Sequence, residues 1–297
     1  MVTVILAAVE ELLTEHGPMT EEHLLVALHD AGVDLGRDPA ETLSELLDAD
    51  ELPLVMPLSG DRHALLPALL DGRVFTHRLS AAEIEHGLVT VSPDLEPLSM
   101  LADNEPSDQL LDGEPLVEIF PDLDGLADRG MPVNAIVDAP AFLLPPDRLG
   151  TLGLRTGDLV GFRVTAAGMD LARVDEADVE GDVDVGSRLT AILAGRADDG
   201  PAQLDAVIWT ACADDPGLFR SPLPPLRELL DDAGLACGGD QIAPAGFDFD
   251  SWRVRQRIAS IQRLHDLDED AAVAVLVILG MYRRVADVDD PVASPHS

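Results

Sequence analysis

The stretch that decides the fold is DPAETLSELLD at residues 38–48, which contains the clearest local signal in the chain. Asp38 is placed to cap a helix, Pro39 to occupy its first position, and Glu41 stands three residues after the cap. Leucines at 43, 46 and 47 then recur at the spacing of one helical face. The pattern predicts a short amphipathic helix that ends near Asp48.

Comparable signals lie on both sides of this helix. Residues 2–16 place apolar side chains on one helical face and stop at Gly17, and residues 21–31 form a second helix between Thr20 and Gly32. Downstream, residues 52–58 and 63–66 alternate like two strands, and the turn between them contains Gly60. The order predicts three helices followed by a hairpin.

Residues GPMT at 17–20, Leu24 to Gly32, PAETL at 39–43 and GDRHAL at 60–65 resemble the HARE-HTH type of winged helix. That type also occurs in the acidic delta subunit of bacterial RNA polymerase. The resemblance covers about a fifth of the chain and rests on hydrophobic spacing. It implies a winged helix-turn-helix fold and makes the transcription machinery one candidate partner.

The charge of the chain argues against the usual ligand of such a fold. The chain contains 56 acidic and 19 basic residues, the basic ones are all Arg, and the net charge is −37. Nucleic acids and anionic membranes are bound through excess Lys and Arg, so both are unfavourable partners. A basic protein is the partner that the charge favours. The absence of Lys beside abundant Ala, Asp, Val and Arg also indicates GC-rich, bacterial coding, which by itself explains much of the imbalance.

The side chains of the predicted third helix also argue against DNA binding. A helix that reads DNA presents basic and hydrogen-bonding groups. This one presents Glu41, Glu45 and Asp48, and the hairpin adds Arg62 beside Asp61. We therefore predict a protein-binding surface at Glu41, Glu45, Asp48 and Arg62. The alternative is a DNA-binding transcriptional regulator that acts through a dimer or through the Arg-rich C-terminal helix.

That C-terminal helix, predicted from Trp252 to about residue 264, carries the one basic concentration of the sequence. Trp252, Arg253 and Arg257 form a candidate contact patch for nucleic acid or an acidic partner, since Arg253 and Arg257 share a face. The other interpretation, which we favour, pairs these arginines with the chain's own carboxylates.

No motif in the sequence selects a catalytic, metal or cofactor site. Residues 176–187 resemble a calcium loop but end in Ser187 where a bidentate Glu is needed. No histidine or cysteine spacing fits zinc, and without Lys no phosphate loop can be completed. We expect a non-enzymatic protein without cofactor, although a site assembled from distant residues of the central module stays open. Two cysteines, Cys212 and Cys237, fit a reducing, cytoplasmic location.

The predicted fold class is α+β in three parts. A winged-helix-like domain covers residues 1–98, and a β-rich, barrel-like module covers 115–193. Near the end of the first domain, Ser80 and Glu83 have the spacing of a capping box. Residues 194–290 form an irregular segment that contains a strand at 206–211 and ends in a helical pair. Ser251 is expected to cap the first helix of the pair and Asp268 the second. The segment from Leu144 to Val160 resembles the entry into AbrB-like and other small β-barrels. The apolar run at 271–282 is too short to span a bilayer.

Overall fold

The protein, seen in a computed structural model, mixes helices with small sheets. The structure describes residues 2–47, 52, 54–91, 93–103, 110–111, 114–115, 141–143, 150–165, 168–181, 184–196, 200–265, 268 and 271–273. The chain divides into two compact units, Met1–Ala243 and Pro244–Ser297.

The first unit begins with three helices and a three-stranded antiparallel sheet in the order β1-β3-β2. Helices α2 and α3 begin where the sequence predicts, because each has its cap. Thr20 Oγ1 accepts a hydrogen bond from His23 N at 3.3 Å, and Asp38 Oδ1 accepts one from Glu41 N at 3.3 Å. The elements are α1 (Val2–His16), β1 (Met19–Thr20), α2 (Glu21–Asp30), α3 (Pro39–Leu47), β2 (Val55–Leu58) and β3 (Arg62–Leu65).

These helices bury a core of their own against one face of the sheet. The buried side chains of α1 recur every four residues, which brings them onto a single stripe. The core consists of Ile5, Val9, Leu13, Leu24, Leu28, Leu35, Leu43, Leu46, Leu47, Leu52 and Val55.

The β2–β3 hairpin separates this first core from a second, larger one. Val55 and Leu65, which are paired across the hairpin, pack on the first core, whereas Leu58 and Ala64 belong to the second. Successive side chains of a strand point to opposite faces, so each face of the hairpin is buried by a different core.

The second core is built on an open five-stranded sheet in the order β4-β9-β10-β6-β7, beside the separate pair β5-β8. Phe75 pairs with Phe162 in its register. A Cβ on Gly161 would lie 2.9 Å from Val174 Cγ2, so this position of the sheet favours glycine. The strands are β4 (Val74–Arg78), β5 (Leu88–Thr90), β6 (Leu110–Leu111), β7 (Glu114–Pro115), β8 (Ala141–Leu143), β9 (Leu159–Thr165) and β10 (Gly168–Val174).

The barrel-like expectation for residues 115–193 is wrong for the described residues, because none of the sheets that they form closes. The pairing of β4 with β9 also joins segments that the sequence analysis places in different domains. Residues 185–194, expected within a β-rich module, form a helix that Asp184 caps through Ser187 N at 3.0 Å.

The strand predicted at 206–211 is wrong, because these residues lie in a helix that is buried on nearly every side. Val207, Ile208, Trp209, Ala211 and Cys212 are all at most 3% exposed. A helix without a polar face has no 3.6-residue pattern, so periodicity cannot distinguish it from a buried strand. The remaining helices of this unit are α4 (Leu66–Leu70), α5 (Ala81–His86), α6 (Ser99–Asp103), α7 (Val185–Ala194), α8 (Leu204–Asp214) and α9 (Leu226–Asp232).

The irregular segment expected after residue 193 contains a further sheet, so that expectation is also corrected. Strands β11 (Ala202–Gln203), β12 (Leu235–Gly238) and β13 (Gln241–Pro244) pair in the order β11-β13-β12. Gly239, with φ near 73°, supplies the left-handed turn between the last two strands.

The described part of the second unit consists mainly of helix α10 (Phe249–His265), which covers the predicted helix at 252–264. Its cap is Asp248 rather than the expected Ser251, since Asp248 Oδ1 accepts from Ser251 N at 2.9 Å. Asp268 accepts from Ala271 N at 2.8 Å, as predicted for a second helix, but most of that helix lies outside the described residues. Within the described ranges, no helix has both the length and the apolar character to cross a membrane.

Candidate functional site

Helix α3 presents two of the predicted partner-binding carboxylates to solvent. Glu41 and Glu45 are exposed, and they lie one helical turn apart on the face opposite the buried leucines. Asp48 lies outside the described residues. Thus α3 combines an apolar inner face with an acidic outer face.

The fourth predicted residue, Arg62, is already engaged within the chain. Its guanidinium lies 2.8 Å from Asp214 Oδ1 at the end of α8 and also donates to Ser59 O at 3.1 Å. Ser59 N donates to Thr210 Oγ1 of the same helix at 3.3 Å. The turn of the β2–β3 hairpin is therefore docked on α8, and its arginine does not join the carboxylates of α3.

The predicted basic patch lies on α10 in the second unit. Arg257 is exposed, whereas Trp252 and Arg253 are half-buried. Arg253 lies 3.7 Å from Asp250 and 6.0 Å from the ring centre of Phe249, which packs edge-on against Phe247. Within the described part of the chain no salt bridge joins Arg257 to a carboxylate, so intramolecular pairing does not account for the whole patch.

A buried charged cluster around His77 was not expected from the sequence as a cluster. His77 Nδ1 lies 2.9 Å from Asp94 Oδ2, and Nε2 lies 3.0 Å from Glu83 Oε1. All three residues are at most 5% exposed. Glu83 closes the predicted capping box of α5 with Ser80, and Asp94 accepts from Arg227 N at the start of α9. Only the capping box had a sequence signal.

Asp94 and Glu83 keep the imidazole of His77 protonated. Burial disfavours a charged imidazole, but the hydrogen bonds and charges of Asp94 and Glu83 outweigh it and raise the pKa of His77 to about 9. Both ring nitrogens then donate, one to each carboxylate. Because the carboxylates bind opposite edges of the ring, they cannot converge on one metal ion, and burial closes the cluster to a substrate.

Arg73 is a second buried charge, and no motif in the sequence indicates it. Its guanidinium donates to Leu69 O at 2.9 Å, to Cys212 O at 2.6 Å and to Leu218 O. These carbonyls lie at or just beyond the ends of α4 and α8, where helix dipoles are negative. Burial lowers the pKa of Arg73 from its ordinary value. The residue joins two helix ends and has no catalytic geometry.

Other reactive side chains are poorly placed for chemistry. Burial raises the pKa of the Cys212 thiol to about 12 and that of Cys237 to about 11, so neither forms a thiolate readily.

Burial and the charges of Asp205 and Asp240 raise the pKa of Glu96 to about 7. Among the described residues, no group of three or more His, Cys, Asp or Glu side chains could hold a metal ion.

Comparison of the chain with protein-family models, curated proteins and solved structures found no match.

Proposed function

We propose that the chain is a non-enzymatic regulatory protein whose N-terminal module is a winged helix that binds a basic partner protein through α3. The order of α1, β1, α2, α3, β2 and β3 supports this fold, because β1, between the first two helices, pairs with β3 of the hairpin. The resemblance to an acidic RNA polymerase subunit makes the transcription machinery the first place to look for the partner.

The observation that carries the proposal is the division of charge between α3 and the hairpin. Glu41 and Glu45 are free to face a partner, whereas Arg62 is held by Asp214. A winged helix that binds DNA uses its third helix and its wing together. Here the helix would repel phosphates and the wing is docked on α8, so a basic protein surface is the better match.

The test is capture of the partner by matched variants of the full chain. Glu41→Gln with Glu45→Gln removes two charges from α3, and Glu10→Gln with Glu11→Gln removes two exposed charges from α1. We expect wild type and the α1 variant to recover the same stoichiometric partner from a lysate of the cells that carry the chain. The α3 variant should recover several-fold less. Equal recovery by both variants, or no stoichiometric partner, contradicts the proposal.

A second candidate function is nucleic-acid binding through α10. Arg255, Arg257 and Arg263 are exposed on this helix, and the aromatic residues Phe247, Phe249 and Trp252 lie at or just before its start. Exposed arginines beside aromatic rings are a common combination at nucleic-acid surfaces.

Titration of labelled duplex and single-stranded DNA with the full chain at low salt decides this alternative. Binding that weakens with salt and is lost in Arg255→Gln with Arg257→Gln supports it, because phosphate contacts release counterions. Absence of binding at micromolar protein, where electrostatic attraction is strongest, eliminates it.

A further inference from the structure

An open groove lies between the end of α2 and the start of α3, in the module assigned above to partner binding. The chain leaves α2 through Gly32, whose φ is near 75°, and Val33 N donates back to Leu28 O at 2.9 Å. A second left-handed residue, Gly36, turns the chain toward α3. The loop so formed leaves a cavity of about 640 Å³, within the range of ligand pockets.

The walls of the groove are apolar and its edge is acidic. Leu25, Val33, Leu35, Pro39 and Ala40 supply the apolar walls, and two exposed carboxylates of the loop also line the groove. These carboxylates belong to Asp34 and Asp38.

Each of the two carboxylates uses Oδ1 to organise the backbone. Asp34 Oδ1 accepts from Gly36 N at 2.9 Å, and Asp38 Oδ1 accepts from Glu41 N at 3.3 Å. The second oxygen of each takes part in no hydrogen bond within the described residues. The Oδ2 atoms of Asp34 and Asp38 can therefore accept hydrogen bonds from a ligand while the two Oδ1 atoms keep their bonds to the loop backbone.

The surroundings of the groove also select a cation. Residues 2–47 contain ten acidic residues and one arginine, Arg37, which gives this segment a net charge of −9. Arg37 is exposed but does not line the groove, whereas His29 does. A neutral apolar ligand would leave the acidic edge unused, and an anionic one would be repelled by it.

We infer that this groove is the site at which the partner is recognised, and that it takes a basic peptide segment with one bulky apolar anchor. The anchor would displace water from the apolar walls, and an adjacent Arg or Lys would bind Asp34 and Asp38. The inference rests on the proposed function, because it names the part of the partner that the module binds.

The test measures binding of a labelled peptide of alternating arginine and leucine to the full chain by fluorescence anisotropy. An arginine–serine peptide lacks the anchor, and a glutamate–leucine peptide reverses the charge. We expect only the arginine–leucine peptide to bind well. Equal binding of the arginine–serine peptide would overturn the inference, because it would show attraction to charge alone.

Two matched pairs of variants locate the site. Ala40→Trp fills the groove from an exposed helical position, and Ala7→Trp places the same bulk on an exposed position of α1. Asp34→Asn with Asp38→Asn removes the charges but retains both hydrogen bonds to the backbone, because the Asn side-chain oxygen also accepts. Glu10→Gln with Glu11→Gln is its control.

We expect Ala40→Trp to weaken peptide binding about tenfold and the Asn pair to weaken it about threefold, with neither control changing it. Circular dichroism spectra should coincide for all four variants. Equal affinities for Ala40→Trp and Ala7→Trp would overturn the inference. If Glu41→Gln with Glu45→Gln still reduces capture of the natural partner, the proposed function survives and only the groove is wrong.

Discussion

His77 makes the stability of the fold depend on pH. Its pKa is raised from the ordinary 6.5 to about 9, so the folded state holds the proton more tightly than the unfolded chain. The stabilisation is therefore complete below pH 6.5 and is lost as pH rises through 9. The loss amounts to about 3 kcal/mol.

The prediction is checked by denaturant unfolding of wild type and Glu83→Gln across this window. Glutamine retains a carbonyl for Ser80 N but removes one of the two charges that hold the proton. We expect the loss of stability to be smaller in the variant and to be complete at a lower pH, because the pKa of His77 in the folded state is raised less. Superimposable pH profiles for the two proteins would show that Glu83 does not hold the proton of His77.

Arg73 should be among the costliest single positions in the chain. Arg73→Met leaves three carbonyl groups, of Leu69, Cys212 and Leu218, without their buried donor. We expect a loss of roughly 3–5 kcal/mol in the free energy of unfolding, and a smaller loss for Arg73→Lys, which keeps the charge without the planar fork. Arg173→Met, at a half-exposed salt bridge, should cost less than about 1 kcal/mol. Similar losses at the two arginines would contradict this.

Helices α7 and α9 meet at a contact that allows no side chain at Gly186. A Cβ there would lie 2.6 Å from Ala233 Cβ. Although alanine favours helices over glycine by about 1 kcal/mol, overpacking costs about 1–3 kcal/mol. We expect Gly186→Ala to lower the thermal midpoint and Ala233→Gly to restore part of it in the double variant. A midpoint that rises in the single variant would indicate that the helices separate at little cost.

Elements with a local signal could be predicted, and elements defined by their surroundings could not. At the caps Asp38 and Ser80, both partners of the capping hydrogen bond lie within three residues of each other, so a short stretch of sequence is enough to predict them. Helix α8 is buried on nearly every side because other elements surround it, and its sequence has no apolar period that would indicate this. The start of α10 was misplaced for a smaller reason, since Asp248 and Ser251 are both good caps and only geometry separates them.

For the predicted site residues, exposure could be predicted from local sequence spacing, but contacts with distant parts of the chain could not. That Glu41 and Glu45 face outward follows from the buried leucines of α3. That Arg62 is held by Asp214, 152 residues away, depends on tertiary packing. The partners of His77 show this again, because Glu83 belongs to a readable capping box whereas Asp94 arrives from a loop.

At the scale of the whole molecule, a net charge of −37 opposes compactness. Salt screens repulsion between exposed charges, with a Debye length of about 10 Å at 0.1 M. We expect added sodium chloride to raise the thermal midpoint of the full chain by about 2–4 °C. Replacing Glu10, Glu11, Glu21 and Glu22 by Gln should reduce that gain, and a midpoint that falls with salt would show that attractive ion pairs dominate instead.

The β2–β3 hairpin between the two cores determines where the chain can be truncated without exposing apolar surface. Val55 belongs to the first core, whereas Leu58 and Ala64 on its other face belong to the second. A fragment that ends after β3 would keep its own core but expose the apolar underside of the hairpin to water. Such a fragment should associate with itself or with other apolar surfaces. Experiments on the N-terminal module therefore require the full chain, since an excised module would bind partners that the native molecule never meets.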